Sequence, residues 1–240
     1  MTHAVAGYPS LDANWQMLES MAKAGVDLVE LQLPFSEPIA DGPSFVKANQ
    51  EAIDHALNWD DYFDFFSRAA KAFDFPLLFM GYYNSVFQMG DEVFCRRLQE
   101  AGAQGYILAD LPPEEAASLH EQGRPRNLDP ILLMTPTNSE ARLKEIAARA
   151  SGFVYCVARK GVTGKQTDLD TGVGAFLKRC RETTELPLAL GFGIKSPDNI
   201  AELRSLADIA IVGTACLEVW ERAGANGYEE FLRSLVAATA

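Results

Sequence analysis

Two acidic side chains in one short stretch are the first residues that could do chemistry. Glu30 sits inside the apolar run "DLVELQLPF" (27–35), and Asp41 follows in "PIADGP" (38–43). In a strand over 27–33, side chains alternate, so Val29, Leu31 and Leu33 share one face while Leu28, Glu30 and Gln32 share the other. A carboxyl that points into a partly desolvated space has its pKa raised, holds a proton near neutral pH and can donate it. A structural alternative stands beside that reading: Glu30 as one half of a buried salt bridge. Asp41 alone reads equally well as a turn residue or an N-cap before "SFVKANQEAI". The pair from one stretch is the stronger signal.

A third feature lies late in the chain. "GVTG" (161–164), "GFGI" (191–194) and "VGTA" (212–215) each follow an apolar run. Glycine lets an anion approach the backbone, and "GTACLEVWERAG" opens like a helix whose N-terminal N–H groups, with the Thr214 hydroxyl, can hold a phosphate. Each segment taken singly is an ordinary turn.

The elements that must position these residues alternate regularly. Strands are expected at 3–7, 27–33, 75–81, 105–110, 130–134, 152–158, 187–192 and 208–213. Helical stretches lie between them, such as "LDANWQMLESMAKAG" ending at Gly25 and "SPDNIAELRSLA" opening with Ser196 and Pro197. The second unit carries an extra helical stretch, "NWDDYFDFFSRAAKAF". Eight β/α units in 240 residues predict a (β/α)8 TIM barrel as one domain over 1–240, with its chemistry at the C-terminal strand ends. A doubly wound open sheet is the rival, weakened because no GxGxxG follows the first strand.

Composition excludes several classes. There are 21 Lys and Arg against 33 Asp and Glu, for a net charge of -12, which argues against nucleic acid. No apolar run is long enough for a membrane span, and the N-terminus lacks a signal-peptide pattern. Cys95, Cys156, Cys180 and Cys216 are widely spaced and read as reduced thiols of a cytoplasmic protein. His3, His55 and His120 show no ligand spacing, so no metal is expected and proton transfer is assigned to carboxylates, Tyr or Lys.

The segment "ELQLPFSEPIADGP" (30–43) resembles the "ELGxPFSDPxADGP" of the tryptophan synthase alpha chain family. "AGYP", "GYYN", "ADLPPEE", "GFVY", "GVTG", "GFGI" and "IVGTA" follow in family order across nearly the whole chain. The resemblance implies retro-aldol cleavage of indole-3-glycerol phosphate to indole and glyceraldehyde 3-phosphate. It casts Glu30 as general acid/base and Asp41 as holder of the indole N–H. It casts Tyr155 as an active-site tyrosine and Arg159 and Thr163 as part of a closing loop, with Thr163 meeting Asp41. Gly164, Gly193, Gly213 and Thr214 would form the phosphate cradle, and Phe192 would line the indole pocket. It implies no cofactor in this chain, and a beta chain partner in an alpha2beta2 tetramer. Loop 34–43, the "YYN" loop and Pro112 would lie on the docking face. Two alternatives remain: a stand-alone indole-releasing lyase, and a weak homologue that mainly activates a beta chain.

The departures from the family pattern are Gln32 for a common glycine, Glu37 for a common Asp, and a short amino terminus. Gln32 is expected either to crowd the indole or to hydrogen-bond Glu30, so replacing it by Gly should leave activity equal or higher. Family members usually begin with a helix under the barrel. Here strand one starts at about residue 3, which implies an open bottom or a truncated chain.

Overall fold

The structure is a computed structural model that describes residues 1–157, 171–191 and 193–239. Eight strands run in the order of the chain: β1 (Thr2–Val5), β2 (Val29–Gln32), β3 (Leu77–Gly81), β4 (Gly105–Leu108), β5 (Asp129–Met134), β6 (Val154–Val157), β7 (Leu188–Gly191) and β8 (Ile209–Ile211). Each pairs in parallel with the next. A parallel bridge between Thr2 and Val212, with Val212 N–H donating to the Met1 carbonyl at 3.0 Å, joins the last strand to the first. The sheet is therefore a closed barrel, and the eight expected strands are all present. The barrel, not the doubly wound sheet, is the fold.

Among the described residues the outer ring comprises α1 (Leu11–Ala24), α2 (Pro43–Asp54), α3 (Trp59–Ala72), α4 (Tyr83–Met89), α5 (Asp91–Glu100), α6 (Ala117–Gly123), α7 (Glu140–Arg149), α8 (Thr171–Arg181), α9 (Pro197–Leu203) and α10 (Thr214–Ala237). The caps are those the sequence offers. The Ser10 side chain accepts from Ala13 N–H to start α1, and Gly25 at φ 80° ends it in the left-handed region, where glycine meets no Cβ penalty. Asn58 and Asp61 form a reciprocal capping box on α3. α10 bends at Gly224, where φ is 60°.

Two layers of apolar packing result. Inside the barrel, Leu78, Met80, Ile107, Ile131, Phe153, Ala189 and Ile211 fill the core. Outside, Val29, Leu31 and Leu33 pack with Met17, Leu18, Tyr62 and Phe66 of the helices. The alternation in β2 therefore points Glu30 and Gln32 inward, as its pattern requires. The inserted helix α3 locks this orientation: the buried Tyr62 hydroxyl donates to the Leu31 carbonyl at 2.8 Å.

Candidate functional site

The residues at the strand ends converge on one cavity of about 420 Å3. Its walls include Glu30, Asp41, Tyr155, Gly193, Gly213 and Thr214. Six of the site residues named from the sequence are thus brought together. Arg159, Thr163, Gly164 and Phe192 lie outside the described residues.

The Glu30 side chain is fully buried, and neither carboxyl oxygen has a hydrogen-bond partner among the described residues. Its nearest polar neighbour is the His3 ring, with Nδ1 at 3.3 Å from Oε1. Burial pushes the Glu30 pKa up to about 8; the amino-terminal ammonium works against this and the Asp41 charge adds to it. At neutral pH Glu30 is therefore mostly a protonated acid with a proton to give. Among the described residues no lysine pairs with Glu30, as the structural alternative would require.

Asp41 is held differently. Burial raises its pKa, while hydrogen bonds from Gln32 and Tyr82 oppose that rise. Gln32 Nε2 donates to Oδ2 at 2.8 Å, and the Tyr82 hydroxyl donates to the same oxygen at 3.2 Å. Two donors on one oxygen favour the ionised form. Asp41 is not the N-cap of α2; Gly42 occupies that position. Its loop is fixed from α2, where Asn49 Oδ1 accepts from Phe35 N–H at 2.9 Å, and from β3, where Ala40 N–H donates to the Tyr82 hydroxyl at 3.1 Å.

Next to β1, where the barrel closes through β8, the main chain takes over. β8 ends at Ile211 and α10 begins at Thr214, with Gly213 between the cavity and the helix. The free N–H groups of the first turn of α10 make an anion site with a positive dipole end. A Cβ on Gly213 would lie 3.2 Å from two ring carbons of Phe45, so close approach requires glycine there. Gly191 has the same constraint: a Cβ would sit 2.7 Å from the Tyr155 ring. Burial and the two nearby carboxylates hold the Tyr155 phenol well above its ordinary pKa, so it remains a donor.

Three expectations need correction. Gln32 neither hydrogen-bonds Glu30 nor lines the cavity; it lies beneath, accepting from His3 and donating to Asp41. Its replacement by glycine is therefore not expected to be harmless. In the "YYN" loop, assigned as a whole to the docking face, Tyr82 itself is 1% exposed and turned to Asp41, a site residue the sequence reading did not name. His3, set aside as an isolated histidine, lines the cavity beside Glu30. The signal that could have found His3 is the barrel itself, since in-register pairing of β1 with β2 sets His3 opposite Glu30.

An inward acid, a second acid held ionised and a helix-end anion cradle at the C-terminal mouth of the strands define a (β/α)8-barrel enzyme acting on a phosphorylated substrate. A sequence profile described as "Tryptophan synthase alpha chain" matches residues 1–239. The chain is 47% identical to the tryptophan synthase alpha chain of Syntrophotalea carbinolica over 98% of its own length and 93% of the relative's. Identity to that of Desulforapulum autotrophicum is 45% over the same shares. Among solved structures, tryptophan synthase of Mycobacterium tuberculosis superposes with a TM-score of 0.93 at 27% identity, over 99% of this chain and 91% of that one. Tryptophan synthase subunit alpha of Legionella pneumophila gives 0.90 at 31% identity, with 99% and 91% covered. The chain belongs to the tryptophan synthase alpha chain family, lyases that cleave indole-3-glycerol phosphate and partner with a beta chain.

Proposed function

We propose that Glu30 is the general acid/base of the cleavage and that Asp41 holds the indole N–H. The observation that carries this is the contrast between a buried, unpartnered Glu30 carboxyl and an Asp41 carboxylate held by two donors in the same cavity. Protonated Glu30 delivers its proton to indole C3, which becomes tetrahedral. Positive charge spreads to the ring nitrogen, where the Asp41 carboxylate stabilises it. Glu30, now ionised, accepts the proton of the glycerol hydroxyl. The O–H pair becomes the new carbonyl bond, the C–C bond breaks, and its electrons restore the aromatic indole. Glu30 ends protonated, so the cycle needs no cofactor in this chain.

The phosphate sits at Gly213 and Thr214 and the start of α10, with Gly193 on the same wall. Tyr155 borders the reacting centre. The roles that the family resemblance gives Arg159, Thr163, Gly164 and Phe192 fall outside the described residues. The beta chain docks on the mouth, where Ile39 (77% exposed) and Phe87 (69%) present apolar side chains beside the exposed Glu37. Residues 1–240 act as one barrel domain. A cytoplasmic location fits four free, buried cysteines; among the described residues no helix is long and apolar enough to cross a membrane.

Glu30→Gln tests the assignment, because it keeps shape and removes the proton carrier. Indole release, measured with and without a beta chain, should fall by about 10³-fold or more while the phosphorylated substrate still binds. Normal turnover by this variant would make Glu30 structural.

A further inference from the structure

The two carboxyl groups of the site are joined by a continuous line of polar contacts through residues that the proposed mechanism leaves unused. His3 Nε2 lies 2.8 Å from Gln32 Oε1, and Gln32 Nε2 lies 2.8 Å from Asp41 Oδ2. His3 Nδ1 lies 3.3 Å from Glu30 Oε1. His3 is 8% exposed and Gln32 is fully buried, so water does not substitute for these partners.

The line has a direction that hydrogen-bond chemistry fixes. An ionised Asp41 only accepts, so the amide nitrogen of Gln32 must face it and the amide oxygen must face His3. That oxygen also only accepts, so the hydrogen of the His3 ring is on Nε2. Burial pushes the His3 pKa down to about 4, so the ring is neutral near pH 7 and Nδ1 carries a bare lone pair. A bare Nδ1 facing an ionised carboxylate would set lone pair against lone pair. The contact becomes favourable when the proton is on Glu30 and turned towards Nδ1.

We propose that His3 is a positioning residue for Glu30, locked by Gln32 in the Nε2–H tautomer so that its bare Nδ1 keeps the acid proton on Glu30, and that the same glutamine couples this acid to the ionised Asp41. The inference rests on the assignment of Glu30 and Asp41 proposed above. His3 takes no part in the net proton transfer; it sets the resting state from which Glu30 turns to indole C3. Phe45 holds the imidazole in place, stacked on it at 4.3 Å between centroids.

The other charged and titratable groups near this line are the amino-terminal ammonium, which lowers the Glu30 pKa, and Tyr82 and Tyr155, both kept neutral by burial. Lys195 lines the same cavity. None of them contacts the His3 ring nitrogens, so His3 and Gln32 can be tested separately from them.

Two measurements test the proposal. In the full-length chain labelled with 15N-histidine, His3 is identified by the signals lost in His3→Phe. At pH 7 its Nε2 should be protonated and its Nδ1 bare; a proton on Nδ1, or on both nitrogens, overturns the proposal. The second is the pH profile of kcat/KM for indole-3-glycerol phosphate, with a beta chain present. His3→Phe keeps the stacking on Phe45 and removes the acceptor, so the basic limb should fall by about one pH unit. Gln32→Leu should narrow the profile from both sides. Freed of its tautomer lock, His3 can donate to Glu30 and lower its pKa, while Asp41 loses a donor and its acid limb rises. Activity at pH 8 should drop roughly fivefold in each variant. A loss of rate with both limbs unmoved means a merely structural role and refutes the inference. Inactive Glu30→Gln with unmoved limbs in the other two variants sinks this inference alone; active Glu30→Gln sinks the assignment beneath it. If His3→Phe fails to fold, the His3 signals are assigned by elimination with His55→Gln and His120→Gln, and the tautomer of the unmodified chain decides.

Discussion

The two walls of the mouth work by different means. On the β1–β2 wall the proposed work is done by side chains: His3 and Gln32 are hydrogen-bonded, Gln32 donates to Asp41, and His3 lies 3.3 Å from Glu30. On the β7–β8 wall the proposed work is done by backbone: Gly193, Gly213 and the first turn of α10 offer N–H groups to the cavity. The difference follows from the task. Moving a proton requires a group whose pKa the surroundings can shift, and a carboxyl buried without a partner supplies that. Holding a permanently charged phosphate needs only oriented donors, which every helix start provides.

The comparison is broken most severely at Glu30. Glu30→Gln should remove activity on the side-chain wall by three orders of magnitude or more and leave the anion wall intact, seen as retained substrate binding in titration calorimetry.

The same variant sharpens the comparison through stability. The Glu30 pKa stands at about 8 in the fold against an ordinary 4.5, so between those values the native state keeps a proton that the unfolded chain has released. Stability therefore falls as pH rises through that window. His3, lowered from 6.5 to about 4, acts oppositely between those values, because there the unfolded chain takes up a proton that the fold refuses. Above pH 6.5 that offset fades and Glu30 dominates. Urea melts of the parent chain should lose about 1 kcal/mol between pH 6.5 and 8, a loss absent in Glu30→Gln.

On the other wall, Gly213→Ala should raise KM roughly tenfold with kcat less affected, since a Cβ 3.2 Å from Phe45 displaces the backbone donors or the ring. A change in kcat alone would mean that this wall does more than hold the anion. The smallest effect is expected of Tyr82→Phe, which leaves Asp41 one side-chain donor instead of two. Activity should drop by about three- to tenfold, with the acid limb of the pH profile raised, because the carboxylate loses support.

Much of the barrel was legible because its signals are local. Period-two apolar runs, Gly25 past the end of α1 and Ser196 before α9 are all read within a few residues. Glu30 and Asp41 were legible for a similar reason: a charge inside an apolar strand is anomalous on its face. His3 was not, because nothing in "MTHAVAGYPS" distinguishes a strand histidine from a surface one. Gln32 was assigned the wrong partner because it shares a face with Glu30, while its amide reaches forward to a loop that folds back over the strand. Tyr82 was read by its loop, and loops on a barrel rim face both inward and outward.

The sequence by itself determined the β/α alternation, the inward face of β2 and the pair of acids, since alternation, burial and residue type are properties of a chain segment. Only the tertiary structure decided which acid is protonated. That depends on the complete burial of Glu30 inside the barrel and on two donors to Asp41, one of them from a tyrosine 41 residues away, and a pKa is set by what surrounds a group in space.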